Sequence, residues 1–272
     1  MKRRCFILLV VIAVPLIATA QTKSKGVLLE NLTWVEAEKI LKPERVVVIP
    51  LGAQAKEHGP HLKLKNDWLI AEYLKNRVLQ NADVVIAPTV NYNFYPAFVE
   101  YPGSTSLRLE TSRDLLIDIC KSFVRFGVHR FYILNTGIST LRALKPAADL
   151  LAAEGILMTY TDLAKLTGEV EKRISKQEGG THADEIETSM MLYIAPHTVE
   201  MKKAAKDFHP GKGRLTRDPN HKEATYSATG IWGDATLATR EKGKVVVEAL
   251  VAGILKDIEE LSRSNLPVAP KQ

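Results

Sequence analysis

Histidines and acidic side chains gather in one short segment that follows an apolar, β-branched run. The segment supplies two imidazoles and two carboxylates, from Glu57, His58, His61 and Asp67. Imidazole nitrogens and carboxylate oxygens are the ligands that zinc, manganese and similar divalent ions accept. Gly59 and Pro60 allow a sharp turn within the segment. These residue types indicate a divalent-metal site, but they equally fit loop histidines bonded to backbone and an Asp67 that caps the next helix.

A second cluster lies much further along the chain, where a glycine-rich turn leads into an amphipathic helix. His182 lies near the predicted start of this helix, and Glu187 follows about one turn later. If the helix begins near Ala183, Glu187 lies about one turn past its start and shares a face with residues three or four away, and His182 and Glu187 could both point into one cavity. Asp184 and Glu185 are interpreted as first-turn acids that stabilise the helix dipole.

The elements that must position these residues alternate between buried strands and helices. Apolar runs predict strands over 45–49, 83–87, 130–134 and 156–160. Helical patterns follow Asp67 and Thr111 and cover 141–151. Strands covered by helices on both faces and joined by such crossovers imply a mostly parallel sheet with right-handed connections. We therefore predict the α/β class, with a single doubly wound domain whose ligands bind beyond the strand carboxyl ends, where the first cluster lies.

Further signals define the limits of this domain. Thr33 and Glu36 have the spacing of a capping box and predict a short helix through Leu41. A long helical pattern covers 238–261, and turn residues over 202–227 predict a loop that could cover the site. We place the domain over 21–265 and a loose tail over 266–272.

Residues 1–20 show the three parts of a secretory signal peptide. Basic residues come first, an apolar run extends from Cys5 to Ile17, and Ala18-Thr19-Ala20 provides a cleavage site. The apolar run is shorter than the roughly 20 residues of a membrane span. We therefore expect cleavage after Ala20 rather than a retained anchor, and a periplasmic or secreted protein.

Composition excludes several other classes of protein. The chain has 272 residues, of which 46% are hydrophobic and 25% charged, which is typical of a globular domain and not of a disordered one. The net charge of +6 includes three basic residues of the signal segment, and no basic stripe with interleaved aromatics predicts a nucleic-acid surface. Cys120 alone remains after cleavage, so an internal disulfide is excluded and helix packing is its expected role.

The two clusters together resemble motifs of the creatininase family. Members carry a Glu-x-His-Gly-Pro-His-Leu loop that leads to Asp, and a His-Ala-x-x-x-Glu-Thr-Ser helix start; 56–67 and 182–189 are similar here. A third similar segment runs from Tyr226 through Asp234 and continues over 238–243. The three segments follow the family's order.

The resemblance implies a metal-dependent amidohydrolase that acts on small, often cyclic substrates such as creatinine. It also implies assembly into homo-oligomers, commonly hexamers. Position by position, His58 and Asp67 match metal ligands, and Asp67 matches a carboxylate that bridges two ions. His182 and Glu187 match residues that assist catalysis or metal binding, for example by moving a proton to the leaving nitrogen.

The first departure from the family pattern is at Lys56, where members have glutamate. Glu57 is its neighbour, and the spacing from Gly52 to His58 is one residue longer than usual in the family. A bulge could therefore bring Glu57 into the missing role or bring the Lys56 ammonium into the cavity. An ammonium there would repel a second cation.

The second departure follows the third predicted strand, where members supply a metal-binding histidine and some supply a glutamate. Gly137 and Ser139 occupy these places here. We therefore expect one zinc or manganese ion rather than two, with ligands among Glu57, His58, Asp67 and Glu187.

Two functions remain open from the sequence. The first is a hydrolase of a small amide, cyclic or not, with His182 and Glu187 as catalytic residues. The alternative is a non-catalytic periplasmic protein that binds a small ligand and has lost the dinuclear centre.

Overall fold

The computed structural model describes residues 24–269, and at its centre lies one sheet of five parallel strands. The strands are β1 (Val27–Leu28), β2 (Val46–Leu51), β3 (Val85–Ile86), β4 (Arg130–Asn135) and β5 (Leu157–Tyr160). Their order across the sheet is β1-β3-β2-β4-β5, and neighbouring strands all pair in parallel. The predicted α/β class with a doubly wound parallel sheet is confirmed.

Helices cover both faces of this sheet. They are α1 (Trp34–Ile40), α2 (Asn66–Asn81), α3 (Leu109–Val124), α4 (Leu141–Ala152), α5 (Leu163–Ile174), α6 (Glu185–Ile194) and α7 (Arg240–Arg263). Successive strand residues point to opposite faces. Val46 and Val48 of β2 therefore pack with α2, α6 and α7, whereas Val47 and Ile49 pack with α3 and α4.

The carboxyl ends of β2 and β4 form the crevice that the topology predicts for a ligand. These two strands are neighbours, yet the chain leaves β2 through α2 towards β3 and leaves β4 through α4 towards β5. Because α2 and α4 lie on opposite faces of the sheet, the loops that follow β2 and β4 diverge, and the region between them is called the cleft below. The loop 52–65 and the start of α2 line this cleft.

Two helix starts test the capping predictions. The capping box is present, since the Thr33 amide donates to Glu36 Oε2 at 2.8 Å and the Glu36 amide donates to Thr33 Oγ1 at 3.4 Å. The interpretation of Asp67 as a helix cap is wrong, because α2 begins at Asn66 and Asp67 lies inside its first turn. Its carboxylate is therefore free to face the cleft.

The segment 202–227 is less irregular than predicted. It contains three short strands, β6 (Lys206–Asp207), β7 (Leu215–Thr216) and β8 (Thr225–Tyr226). β6 pairs antiparallel with β9 (Gly233–Asp234), and β7 pairs in parallel with β8. Helix α5 was not predicted.

Other sequence predictions concern the ends of the chain and its cysteine. Cys120 is fully buried in α3, and burial raises the pKa of its thiol, as expected of a packing residue. The predicted signal peptide, 1–20, lies outside the described residues. Within 24–269, no helix combines the length and the apolar character that a membrane crossing requires.

Candidate metal centre

His58 is the centre of the site and is held by the loop that follows β2. Its Nδ1 lies 2.9 Å from the Lys56 carbonyl oxygen, and its Nε2 lies 2.8 Å from Asp67 Oδ1. A carbonyl can only accept, so Nδ1 carries the proton and Nε2 is the atom that faces the carboxylate. Gly59, at φ +68°, provides the left-handed turn that follows His58.

The start of α6 brings Glu187 to the same ring. Asp184 caps this helix by accepting from the amides of Ile186 and Glu187, at 3.0 and 2.9 Å. Glu187 Oε2 accepts from the Ala183 amide at 2.7 Å, and Glu187 Oε1 lies 3.2 Å from His58 Nε2. His58 Nε2 therefore faces two carboxylates at once.

His182 and Glu57 form a pair across the cleft. His182 Nε2 lies 2.8 Å from Glu57 Oε1 and 3.1 Å from the Glu57 carbonyl oxygen. Both are acceptors, so Nε2 carries the proton and Nδ1, which lies 3.8 Å from Glu187 Oε2, is the unprotonated nitrogen. Glu57 Oε2 also accepts from the Gly59 amide at 2.8 Å. Glu57 thus orients His182.

Three side chains in this arrangement can hold one metal ion. His58, His182 and Glu187 each offer a ligand atom, and the three atoms lie within 4.8 Å of one another. Two imidazoles and one carboxylate are a donor set that zinc accepts with an open position for water. Of the residues predicted as ligands, His58 and Glu187 belong to this trio, Asp67 lies beside it and Glu57 bonds to His182.

The charges of the site shift the pKa values of its histidines in opposite directions. Burial and the Lys56 ammonium lower the pKa of His58, but the Asp67 and Glu187 carboxylates outweigh them and raise it to about 9. Burial lowers the pKa of His61 to about 4. Burial opposes ionisation of Glu187, yet His58 and His182 hold its pKa well below the usual range. His58 Nε2 is therefore a position that attracts a cation, either a proton or a metal.

Lys56 enters the cleft and contacts Asp67. Its Nζ lies 2.7 Å from Asp67 Oδ2, and the two side chains are 6% and 1% exposed. Burial opposes both charges, but each stabilises the other, so the pKa of Lys56 is raised and that of Asp67 is lowered. The sequence did not decide whether Lys56 or Glu57 enters the cavity. In the structure Lys56 lies beside Asp67, and Glu57 lies beside His182.

The loop that follows β4 is closed by its own hydrogen bonds. The Asn135 side chain accepts from the Gly137 amide at 3.1 Å and from Thr140 Oγ1 at 2.7 Å, and it donates to the Gly137 carbonyl at 2.7 Å. Ser139 Oγ donates to the Phe94 carbonyl at 3.1 Å. Neither Gly137 nor Ser139 contributes to the trio of His58, His182 and Glu187.

His61 and Glu185 are both buried and bond to residues outside the trio. His61 Nε2 lies 2.7 Å from Thr188 Oγ1, outside the trio. Glu185 is fully buried, accepts from the amides of Lys176 and Gln177 at 2.8 and 2.7 Å, and pairs with Lys242. Glu185 does lie in the first turn of α6, as predicted, and its carboxylate also ties α6 to two other segments.

Sequence reasoning assigned no role to Asn66 and Phe98. Asn66 Nδ2 donates to Glu187 Oε1 at 3.0 Å, and its only sequence signal was its position next to Asp67. The Phe98 ring lies 4.1 Å from the His182 ring, centroid to centroid. No motif indicated Phe98, since the contact depends on how a distant loop folds over the cleft.

The third similar segment forms the wall and the support of the site. The Trp232 amide donates to the His182 carbonyl at 2.9 Å. A Cβ on Gly230 would lie 2.2 Å from Glu57 Oε2, so this glycine leaves room for the carboxylate. A Cβ on Gly243 would lie 1.8 Å from the Ser189 carbonyl oxygen, so α7 can approach α6 only through a glycine there.

Comparisons with known proteins show what this chain is similar to. The family model of creatinine amidohydrolase matches residues 30–258. Creatinine amidohydrolase of Pseudomonas putida is 26% identical over 87% of this chain and 98% of its own length. A 3-dehydro-scyllo-inosose hydrolase of Thermotoga maritima is 25% identical over 90% of this chain and 88% of its own.

Solved structures show the same fold. A crystal structure of creatinine amidohydrolase has a TM-score of 0.72 and 25% identity, and it covers 89% of this chain and 100% of its own. Among further structures of that enzyme, one is described with manganese and one variant as a Zn–Zn type, at TM-scores of 0.71 and 0.68 and identities of 24% and 23%. These cover 88% and 89% of this chain and the whole of their own.

Proposed function

Because this chain belongs to the creatininase family, we propose that it is a hydrolase that uses one divalent ion to cleave a C–N bond of a small amide. Zinc and manganese are the ions that we propose, since the donor set suits them and related structures are described with them. The relatives named above act on different substrates, so the family alone does not define the substrate of this chain.

The observation that carries this proposal is the environment of His58 Nε2. This nitrogen faces Asp67 Oδ1 at 2.8 Å and Glu187 Oε1 at 3.2 Å, while the other ring nitrogen is occupied by the Lys56 carbonyl. A neutral ring would direct its lone pair at two anions, which is unfavourable unless a cation lies between them. His182, through Nδ1, and Glu187 complete a set of three ligands around that position.

Each residue of the site has a defined task in this proposal. The ion, when bound, supplies a positive charge that polarises the amide carbonyl and makes a bound water acidic near neutral pH. Glu57 holds the His182 tautomer through Nε2. Glu187 lies between the two rings, and we assign to it the transfer of a proton from water to the leaving nitrogen.

Metal content together with activity tests this function. Purified protein, reconstituted with zinc or manganese and freed of excess ion, is expected to hold one ion per chain and to hydrolyse members of a panel of cyclic and open-chain amides. His58→Ala is expected to lose both the ion and the activity. His197→Ala removes an exposed histidine outside the site and should keep both.

A second function is favoured by one observation, namely that the Lys56 ammonium pairs with Asp67 inside the cleft. An internal ammonium can take over part of the role of a metal in neutralising carboxylates. The chain would then be a non-catalytic protein that binds a small ligand. If the reconstituted wild type retained no ion and hydrolysed none of the amides tested, the binding function would be supported and the hydrolase would not.

The cellular setting is also a proposal, and it rests on sequence features. We propose export with cleavage after Ala20, because residues 1–20 have the parts of a signal peptide. We propose a homo-oligomer, a hexamer being the common family assembly that the resemblance implies. N-terminal sequencing of the exported protein and light scattering test these two points.

A further inference from the structure

A buried lysine lies in the middle of an acidic site. The Lys56 Nζ contacts Asp67 Oδ2 at 2.7 Å, and the other oxygen of the same carboxylate contacts His58 Nε2 at 2.8 Å. The Asp67 carboxylate is therefore shared between the Lys56 ammonium and the His58 ring, which is one of the three candidate ligands of the ion. Replacing that ammonium by a second ion would require both the side chain to leave and Asp67 to accept a new partner.

The surroundings hold Lys56 in this place. Its ammonium lies 4.8 Å from the Phe98 ring centroid and 5.6 Å from the Tyr95 ring centroid. Cations are attracted to aromatic faces, the more so where water is excluded. Within residues 24–269, Asp67 is the only carboxylate within 4.0 Å of this ammonium. The side chain is therefore packed between two rings and one anion.

The charges of the site balance with one divalent ion. Glu57, Asp67 and Glu187 bring three negative charges, and Lys56 brings one positive charge. With neutral imidazoles the remainder is two negative charges, which one divalent ion neutralises. A second divalent ion would leave an excess of positive charge in a buried site, which is unfavourable.

We propose that Lys56 is a built-in cation that occupies the position beside Asp67 and thereby limits the site to one divalent ion. This inference rests on the proposed function, because it presupposes an ion at His58, His182 and Glu187. Lys56 is then a positioning residue: its ammonium neutralises Asp67 and keeps the carboxylate turned towards His58. The loop after β4 agrees with this assignment, since the side chains of Asn135 and Thr140 are bonded within the loop, around Gly137.

Metal stoichiometry tests the inference without an assay of activity. Zinc or manganese alone serves as the probe, in a calorimetric titration checked by elemental analysis after gel filtration. The wild type is expected to bind one ion per chain, and Lys56→Glu is expected to bind two, because it removes the ammonium and adds a carboxylate beside Asp67. Lys56→Arg keeps the charge and should still bind one.

Lys75→Met is the matched control. Lys75 is also a buried lysine, but it pairs with Glu72 at 2.6 Å elsewhere on α2, so its loss should leave one ion per chain. If circular dichroism shows that Lys56→Glu is unfolded, Lys56→Asp replaces it, because it also exchanges the ammonium for a carboxylate, and a second equivalent of ion is still expected.

The outcomes separate this inference from the proposed function. Two ions in the wild type, or one ion in every folded variant that lacks the ammonium, would overturn the role of Lys56 and leave a metal hydrolase intact. No ion in the wild type would remove the proposed function and this inference with it.

Discussion

Removing one partner of the Lys56–Asp67 pair should destabilise the metal-free protein far more than removing both. The pair is almost fully buried, with side chains 6% and 1% exposed and a separation of 2.7 Å. A buried charge that loses its partner costs about 3–5 kcal/mol. Asp67→Asn should be near the upper value, because it leaves the ammonium without a carboxylate. Lys56→Met should be near the lower value, because Asp67 keeps its contact with His58 at 2.8 Å.

The double variant Lys56→Met/Asp67→Asn should recover most of this loss. Replacing both members of a buried pair by uncharged groups of similar size is often neutral or stabilising. Urea denaturation at pH 7 with a chelator gives the free energy of unfolding for each protein. For a domain of this size, each kcal/mol shifts the melting temperature by about 2–4 °C.

An exposed pair provides the comparison for this cycle. Arg45 and Asp83 are in contact on the surface, with 30% and 72% of their side chains exposed, so Asp83→Asn should cost at most about 1 kcal/mol. Additive effects of Lys56→Met and Asp67→Asn, within about 0.5 kcal/mol, would show that the two charges do not depend on each other. The buried contact between Lys56 and Asp67 would then not act as a charge pair in solution.

Three further predictions follow from individual contacts. The pKa of His58 is raised from 6.5 to about 9, so the contribution of His58 to the stability of the metal-free protein should be complete below pH 6.5 and disappear as the pH rises through 9. Melting temperatures of the wild type and of His58→Gln, measured from pH 6 to 10, would refute this if the difference between them did not change with pH. Gly243→Ala should lower the free energy of unfolding by about 3 kcal/mol or more, because its Cβ would overlap the Ser189 carbonyl oxygen at 1.8 Å. An unchanged midpoint of urea denaturation would contradict the close approach of α6 and α7. Thr33→Ala should lower the free energy of unfolding by about 1 kcal/mol, because α1 loses its N-cap. Equal rates of amide hydrogen exchange in α1 of the wild type and of the variant would exclude the capping box as a stabilising contact.

Local patterns in the sequence determined several regular elements of this fold, although not helix α5. The β2 and β4 strands and the long helix α7 were predicted close to their observed bounds, because runs of buried residues and helical periodicity are local signals. The capping box at Thr33 was also readable, since its two members are three residues apart. Short strands such as β1 were missed, because two residues carry no periodicity of their own.

The sequence also predicted in outline which residues of the site lie close together. The resemblance to the creatininase family linked the loop after β2 with the start of α6, and His58 and Glu187 do meet there at 3.2 Å. The absence of the usual ligands at Gly137 and Ser139 was visible as well. The hydrogen bonds that close that loop, such as Asn135 to Thr140, were not.

What only the tertiary structure decided is which of two neighbouring side chains faces which partner. Lys56 and Glu57 are adjacent, and the sequence allowed either to enter the position beside Asp67. The fold directs Lys56 to Asp67 and Glu57 to His182, a residue far away in the chain. The physical reason is that adjacent side chains of an irregular loop are oriented by packing against distant elements, here Phe98, Gly230 and the start of α6, and no local pattern records those contacts.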